Sequence, residues 1–202
     1  MKKVYFAVII ILVVSLQTKA QSFNGGIKAG LVVSQIAGDG FSGFNKVGLN
    51  GGFFVQYYVK PVVSLQMELA YIQKGSANTL NPDDPESVGY LLRMNYVELP
   101  LLIQYHLNPL VLELGLSMDF LAGQSEKINS QPNDQGDAWR KLNIASVIGL
   151  QYHLSEKWSA SIRSINSINS IRKESVPLNV RRYSKKFGAF NDVIAVSLLF
   201  YI

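Results

Sequence analysis

The chain of 202 residues has no cysteine and only two histidines. The first absence excludes disulfide and thiol chemistry. The second leaves few side chains that titrate near neutral pH or ligate transition metals. Charge is scarce as well: Asp, Glu, Lys and Arg make up 16% of the chain, against about 25% in an ordinary soluble domain. Beyond the first segment of the chain there is no uninterrupted apolar run of about 18 residues, so a spanning helix is excluded there. A basic face is missing too. Much of the net charge of +5 sits in Lys2-Lys3 and in the stretch Arg172 to Lys186, so nucleic acid is not an expected partner.

What the chain does have is apolar surface to place: 48% hydrophobic residues and a mean hydropathy of +0.15. Part of it lies at the start. Lys2-Lys3 precede an apolar stretch, Val4 to Leu16, and Thr18 and Ala20 put small residues just before Gln21. This is the pattern of a secretory signal peptide over residues 1–20, followed by a mature domain over 21–202. The competing reading is an N-terminal anchor, for which the apolar stretch is short.

The rest of the apolar surface is laid out with a period of two. "VGLNGGFFVQYYV", Val47 to Val59, is apolar at every odd position, which makes a strand with one greasy face. At 13 residues it is far longer than the usual strand of about 5–6. The same alternation recurs over Asn24 to Gln35, Val62 to Lys74, Tyr90 to Leu107, Leu110 to Ala122, Lys141 to Leu154, Lys157 to Ile168 and Asp192 to Ile202, giving eight strands. Tight turns are expected at Lys60-Pro61, Asn108-Pro109 and Ser155-Glu156. The other connections are long and polar: Ile36 to Asn45, Gly75 to Gly89, Gly123 to Arg140 and Ser167 to Ala189.

An even number of long strands, with short turns at one end and long loops at the other, is the plan of a bacterial outer-membrane barrel. The expected fold is therefore all-β: an eight-stranded antiparallel up-and-down transmembrane barrel, with both termini on the periplasmic side. Its apolar face would meet outer-membrane lipid. Tyr57, Tyr71, Tyr105, Tyr152, Trp158 and Phe200 would form aromatic girdles, and Gly30, Gly48, Gly52 and Gly115 would relieve crowding inside. The opposite face carries Lys28, Glu68, Glu98, Glu113, Asp119 and Arg163, too many charges of mixed sign for a lipid surface. The alternative is a secreted lipocalin-like barrel with the same faces reversed, carrying a small apolar ligand.

The segment "NYVELPLLIQYHL", Asn95 to Leu107, adds a resemblance. Tyr96, Glu98, Pro100, Leu101 and Leu102 match a central-strand pattern of the PorT-like outer-membrane β-barrel family, and Gly26, Lys28 and Gly30 match its opening. The resemblance implies an integral protein of a Gram-negative envelope and names no activity. Pro100 cannot donate to a sheet ladder, so a bulge or a missing bond is expected there.

No strong catalytic motif stands out. Glu98 and Glu113 could be paired acid/base carboxylates, but a lumen network is the better reading, with Lys28 and Arg163 neutralising Glu68, Glu98 and Glu113. His106 and His153 could share a metal only if their strand ends converge. Asp83, Asp84 and Glu86 in "NPDDPE" lack the spacing of a calcium loop. No cofactor is expected. Arg172, Lys173, Arg181, Arg182, Lys185 and Lys186 lie in a basic outer loop, read first as a solvated loop and otherwise as a contact for lipopolysaccharide or another envelope protein. The expected role is non-enzymatic, through the long outer loops. The alternative is a narrow channel or a component of a secretion or uptake complex. N-terminal sequencing of the protein taken from outer membranes should begin at Gln21; a start at Met1 would favour the anchor.

Overall fold

The computed structural model describes residues 23–41, 43–79, 87–133, 138–173, 180–182 and 188–202. The signal segment, the stretch Asn81 to Glu86, and Lys185 and Lys186 lie outside the described residues. Among the described residues nine strands follow in order: β1 (Phe23–Ala37), β2 (Lys46–Lys60), β3 (Val63–Asn78), β4 (Tyr90–His106), β5 (Leu110–Ile128), β6 (Gln131–Pro132), β7 (Leu142–His153), β8 (Trp158–Ser167) and β9 (Phe190–Tyr201). Eight of them pair antiparallel with their neighbours in a ring, and β1 closes on β9 from Gly26↔Tyr201 to Ala37↔Phe190. The short β6 pairs only with the end of β5. The fold is a closed eight-stranded antiparallel barrel.

Side-chain exposure settles which face is outward. Phe53, Leu114 and Ile148 are 60% exposed or more, whereas Glu68 and Glu113 are 1% and 2% exposed. A soluble carrier would show the reverse, so the lipocalin-like alternative is overturned. On β5 the outward row runs Leu110, Leu112, Leu114, Leu116, Met118, Phe120. Ten residue steps at about 3.3 Å, tilted by about 45°, make a band roughly 23 Å high, close to the 25 Å or so that lipid asks for.

Aromatic side chains bound the band. At the short-turn rim Phe23 packs against Tyr57 with ring centroids 4.8 Å apart, and Trp158 against Phe200 at 4.9 Å, both pairs tilted. Tyr105 and Tyr152 stand at the same rim. Tyr71 belongs to the opposite boundary, where its partner Val97 pairs with Phe120.

Two strands run well past the sequence reading. β3 runs on to Asn78, and β5 runs on to Ile128, through stretches read as loop. Beyond Ile72 β3 has no β2 partner, and beyond Phe120 β5 has no β7 partner. A hairpin wall of β3, β4 and β5 thus rises above the rest of the barrel. Above the lipid both faces of this wall meet polar surroundings or loops, and the period-two signal fades. Gly75 permits the wall its twist: its φ is +144°, and a Cβ there would stand 2.0 Å from the Leu92 carbonyl oxygen. At Pro100 the β3–β4 pairing skips from Met67↔Leu101 to Ala70↔Glu98 without a register shift, so the proline leaves a gap rather than a bulge. The bulge in this region sits between β4 and β5, at Asn95/Tyr96.

Leu114→Arg should cost about 2–4 kcal/mol if the side chain lies near the midplane. Ser117→Arg, which points into the lumen, should destabilise through crowding and respond less to lipid thickness. Unfolding titrations in bilayers of two thicknesses separate the two effects.

Candidate functional site

The lumen is built in two storeys. In the short-turn half and middle, most inward positions are polar, with the apolar Phe54, Leu102, Val111 and Leu199 interspersed. Lys28 on β1 pairs with Glu68 on β3. Arg163 on β8 lies 2.8 Å from Glu68 Oε1 and donates through Nε to Glu113 Oε2 at 2.6 Å and through Nη2 to Oε1 at 3.0 Å. One guanidinium therefore holds carboxylates from two strands, using the forked geometry that suits arginine to this task. Gly149 makes room for it: a Cβ there would stand 2.7 Å from both Arg163 Cγ and Glu113 Oε2.

Amides surround the ion pairs. Gln104 donates to Glu113 Oε1 at 2.8 Å and to Gln66 Oε1 at 3.0 Å, and Gln66 donates to Glu68 Oε1 at 2.6 Å. Ser64 donates to Gln104 Oε1 at 2.9 Å. Toward the middle, Lys74 Nζ lies 2.7 Å from Asp119 Oδ2 and 3.4 Å from Glu98 Oε2.

All six charges read from the sequence as a lumen network point inward, but their partners differ from the expectation. Lys28 and Arg163 neutralise Glu68 and Glu113. Glu98 meets Lys74 instead. Lys74 shares the inward parity of Glu68, Ala70 and Ile72, a signal available in the sequence. It closes the third expected strand, yet the expected network does not include it. Glu98 and Glu113 do not stand as a free acid/base pair, since each is turned to a different cation.

The upper storey is apolar. Ile36, Ile72, Leu92, Met94, Tyr96 and Val147 form one buried cluster with Trp139 and Ile171, which come from the long connections. Sequence reasoning did not foresee this plug. Lys74 threads it, with Nζ 5.5 Å from the centroid of the Tyr96 ring.

At the short-turn mouth, His106 and His153 do converge. Their rings lie parallel with centroids 6.2 Å apart. Each has a serine partner, Ser64 at 2.7 Å and Ser159 at 2.8 Å. Among the described residues no three His, Asp or Glu side chains gather as metal ligands.

At the long-loop end the basic residues part company. The Arg172 guanidinium lies over the Trp139 ring at 4.4 Å, with Nη2 3.6 Å from Glu126. Arg182 pairs with Asp192 and donates to the Ser167 carbonyl at 3.2 Å. Lys173 and Arg181 are exposed.

A family profile described as "Outer membrane protein beta-barrel domain" matches residues 17–173. The chain belongs to this outer-membrane β-barrel family. Its location is accordingly the outer membrane, with lipid around the apolar band. Two solved structures share the fold. One is Ail, the attachment invasion locus protein of Yersinia pestis: 14% identity, TM-score 0.51, covering 90% of this chain and all (100%) of that one. The other is Neisserial surface protein A: 8% identity, TM-score 0.56, covering 87% of this chain and 96% of that one. Comparison with curated proteins gives no match. In this family's topology the long loops face outward and the short turns face the periplasm.

Removing one partner of a buried ion pair leaves the other charge stranded, at a cost of about 3–5 kcal/mol. Arg163→Met should show a loss of that size in urea unfolding. Adding Glu113→Gln to Arg163→Met should recover part of it, because one stranded carboxylate is removed.

Proposed function

We propose that the protein is a non-enzymatic outer-membrane barrel of the PorT-like group, exported by cleavage of residues 1–20, which works by contact at its outer loops. The observation that carries this reading is the filled lumen. Ion pairs from β1, β3, β5 and β8 cross the barrel at one level, and a buried apolar plug lies above them. An eight-stranded barrel has room for little more than its own side chains. Solute passage then has no route, and the outer loops are the surface left for a job.

The PorT-like membership is supported by where its motif falls. Tyr96, Glu98 and Pro100 alternate along β4 and all face the lumen. There Tyr96 and Glu98 adjoin Lys74 and help build the packed interior.

For the partner, the exposed Lys173 and Arg181 favour an anionic one, and lipopolysaccharide phosphate is the nearest such chemistry at the outer leaflet. Arg172 and Arg182 contribute less, because their side chains are only partly exposed.

Two measurements test the proposal. Purified barrel in planar bilayers should stay electrically silent; stepwise conductance would favour the narrow-channel alternative. Lys173→Ser combined with Arg181→Ser should weaken binding to lipopolysaccharide and flatten its dependence on salt, as the loss of two exposed charges requires. Unchanged binding would remove lipopolysaccharide as the partner.

A further inference from the structure

The long-loop mouth contains a pocket of about 260 Å³. It lies above the apolar plug, between the β3–β4–β5 wall and the connection after β1. Pockets for drug-sized ligands run from about 300 Å³ upward, so this one suits a smaller molecule. Its floor and sides are apolar, with Ile36, Leu92 and Ile128, and its aromatic lining is Phe41, Tyr90 and Trp139. Phe41 and Tyr90 are stacked with centroids 4.9 Å apart and planes 25° from parallel.

Three ionisable groups line this pocket in addition to Tyr90: Glu126, Arg172 and Asp39. Glu126 is fully engaged. Tyr90 donates to Oε1 at 2.8 Å, Asn133 donates to Oε2 at 3.1 Å, and Arg172 Nη2 stands 3.6 Å from Oε1. The Arg172 and Glu126 charges therefore balance. Asp39 is left over. The Phe41 N–H donates to its Oδ1 at 2.9 Å, but Oδ2 is buried with no hydrogen-bond partner. The Ser76 hydroxyl lies near the carboxyl, and an oxygen withdrawn from water beside so weak a donor is still costly. The pocket thus carries one surplus negative charge, a vacant acceptor and flat apolar walls.

We infer that this mouth pocket binds a small organic monocation, a primary ammonium carried on a flat apolar body. The ammonium donates to Asp39 Oδ2, and the body lies against the Phe41, Tyr90 and Trp139 rings. The lining already handles such a group, since the Arg172 guanidinium rests 4.4 Å over Trp139. An anion would meet the Asp39 carboxylate, which Arg172 offsets only in part. A neutral molecule of the same shape would leave that carboxylate desolvated and unmatched. Burial raises the Asp39 carboxyl above its ordinary range, against the opposing pull of Ser76, the Phe41 N–H and Arg172. A bound ammonium supplies the missing counter-charge.

The site goes beyond the proposed loop contacts and stands independently of them. To test it, the full barrel with Trp158→Phe leaves Trp139 as the single indole. Its fluorescence is then followed on adding phenethylamine, 2-phenylethanol or phenylacetate. Phenethylamine should give a saturable change, with 2-phenylethanol binding about tenfold or more weakly and phenylacetate giving none. Asp39→Asn, checked for folding by heat-modifiable gel mobility, should bring the amine down to the level of the alcohol. If that variant does not fold, Val88→Phe at the exposed pocket rim should weaken amine binding instead. Three results would each overturn the inference: alcohol or acid binding as tightly as amine, no saturable response to amine up to about 10 mM, or affinity unchanged in the folded variant.

Discussion

Hydrocarbon offers no hydrogen-bond partner, and the rest of this structure follows from that constraint. Every backbone N–H and C=O at membrane depth must pair within the chain, so a sheet can span only if it closes. Here closure falls to β1 and β9, the first and last strands, and their pairing runs from Gly26↔Tyr201 to Ala37↔Phe190. Closure also removes the edge on which a strand proline usually sits. Pro100 therefore stands inside a fully flanked strand. Its pairing with Ser117 on β5 persists, and the gap appears on the β3 side.

Lipid outside inverts the usual interior. With the apolar row committed to hydrocarbon, the alternate row has to enter a lumen too narrow to hydrate free charges. Lys28, Glu68, Glu113 and Arg163 answer this by pairing across strands that are distant in sequence. Such buried pairs are weak evidence for stability in themselves. Their firmer contribution is register. A slip of one residue would turn a strand's whole inward set toward lipid, and each charge sent outward costs several kcal/mol near the midplane, roughly 2–4 for Arg or Lys. The network makes a shifted β1, β3, β5 or β8 expensive in two ways at once, through a lost partner and through a charge in lipid.

How much of this could be read from the sequence depends on which solvent a residue faces. Where one face meets lipid and the other meets the lumen, alternation is strict, and the spans around Val47 to Val59 and Leu110 to Phe120 could be placed within a residue or two. Above the lipid that contrast disappears. The ends of β3 and β5 therefore read as loop, and Lys74, the last residue of the third expected strand, has inward parity but no place in the expected charge network. The apolar plug was illegible for a different reason. Trp139 and Ile171 lie on long connections, and nothing in a non-periodic stretch says that a side chain folds back into the barrel mouth. The pocket carboxylate, Asp39, sits in a short turn between Gly38 and Gly40, both with positive φ, and looks like an ordinary turn residue until its Oδ2 is found buried.

The residues that carry the family likeness and those that could meet a partner occupy different places in the molecule. Tyr96, Glu98 and Pro100 face a packed lumen. Glu98 contacts Lys74, and the Lys74 ammonium lies beside the Tyr96 ring. A motif of this kind is constrained by the barrel cross-section and by the need to match charges inside it, whatever the barrel does at the cell surface. The outer connections are under neither constraint, since water satisfies their polar groups and no lipid face restricts them. Family membership therefore fixes the fold and the membrane, while the proposed recognition rests on the mouth, where Asp39, Trp139, Lys173 and Arg181 lie.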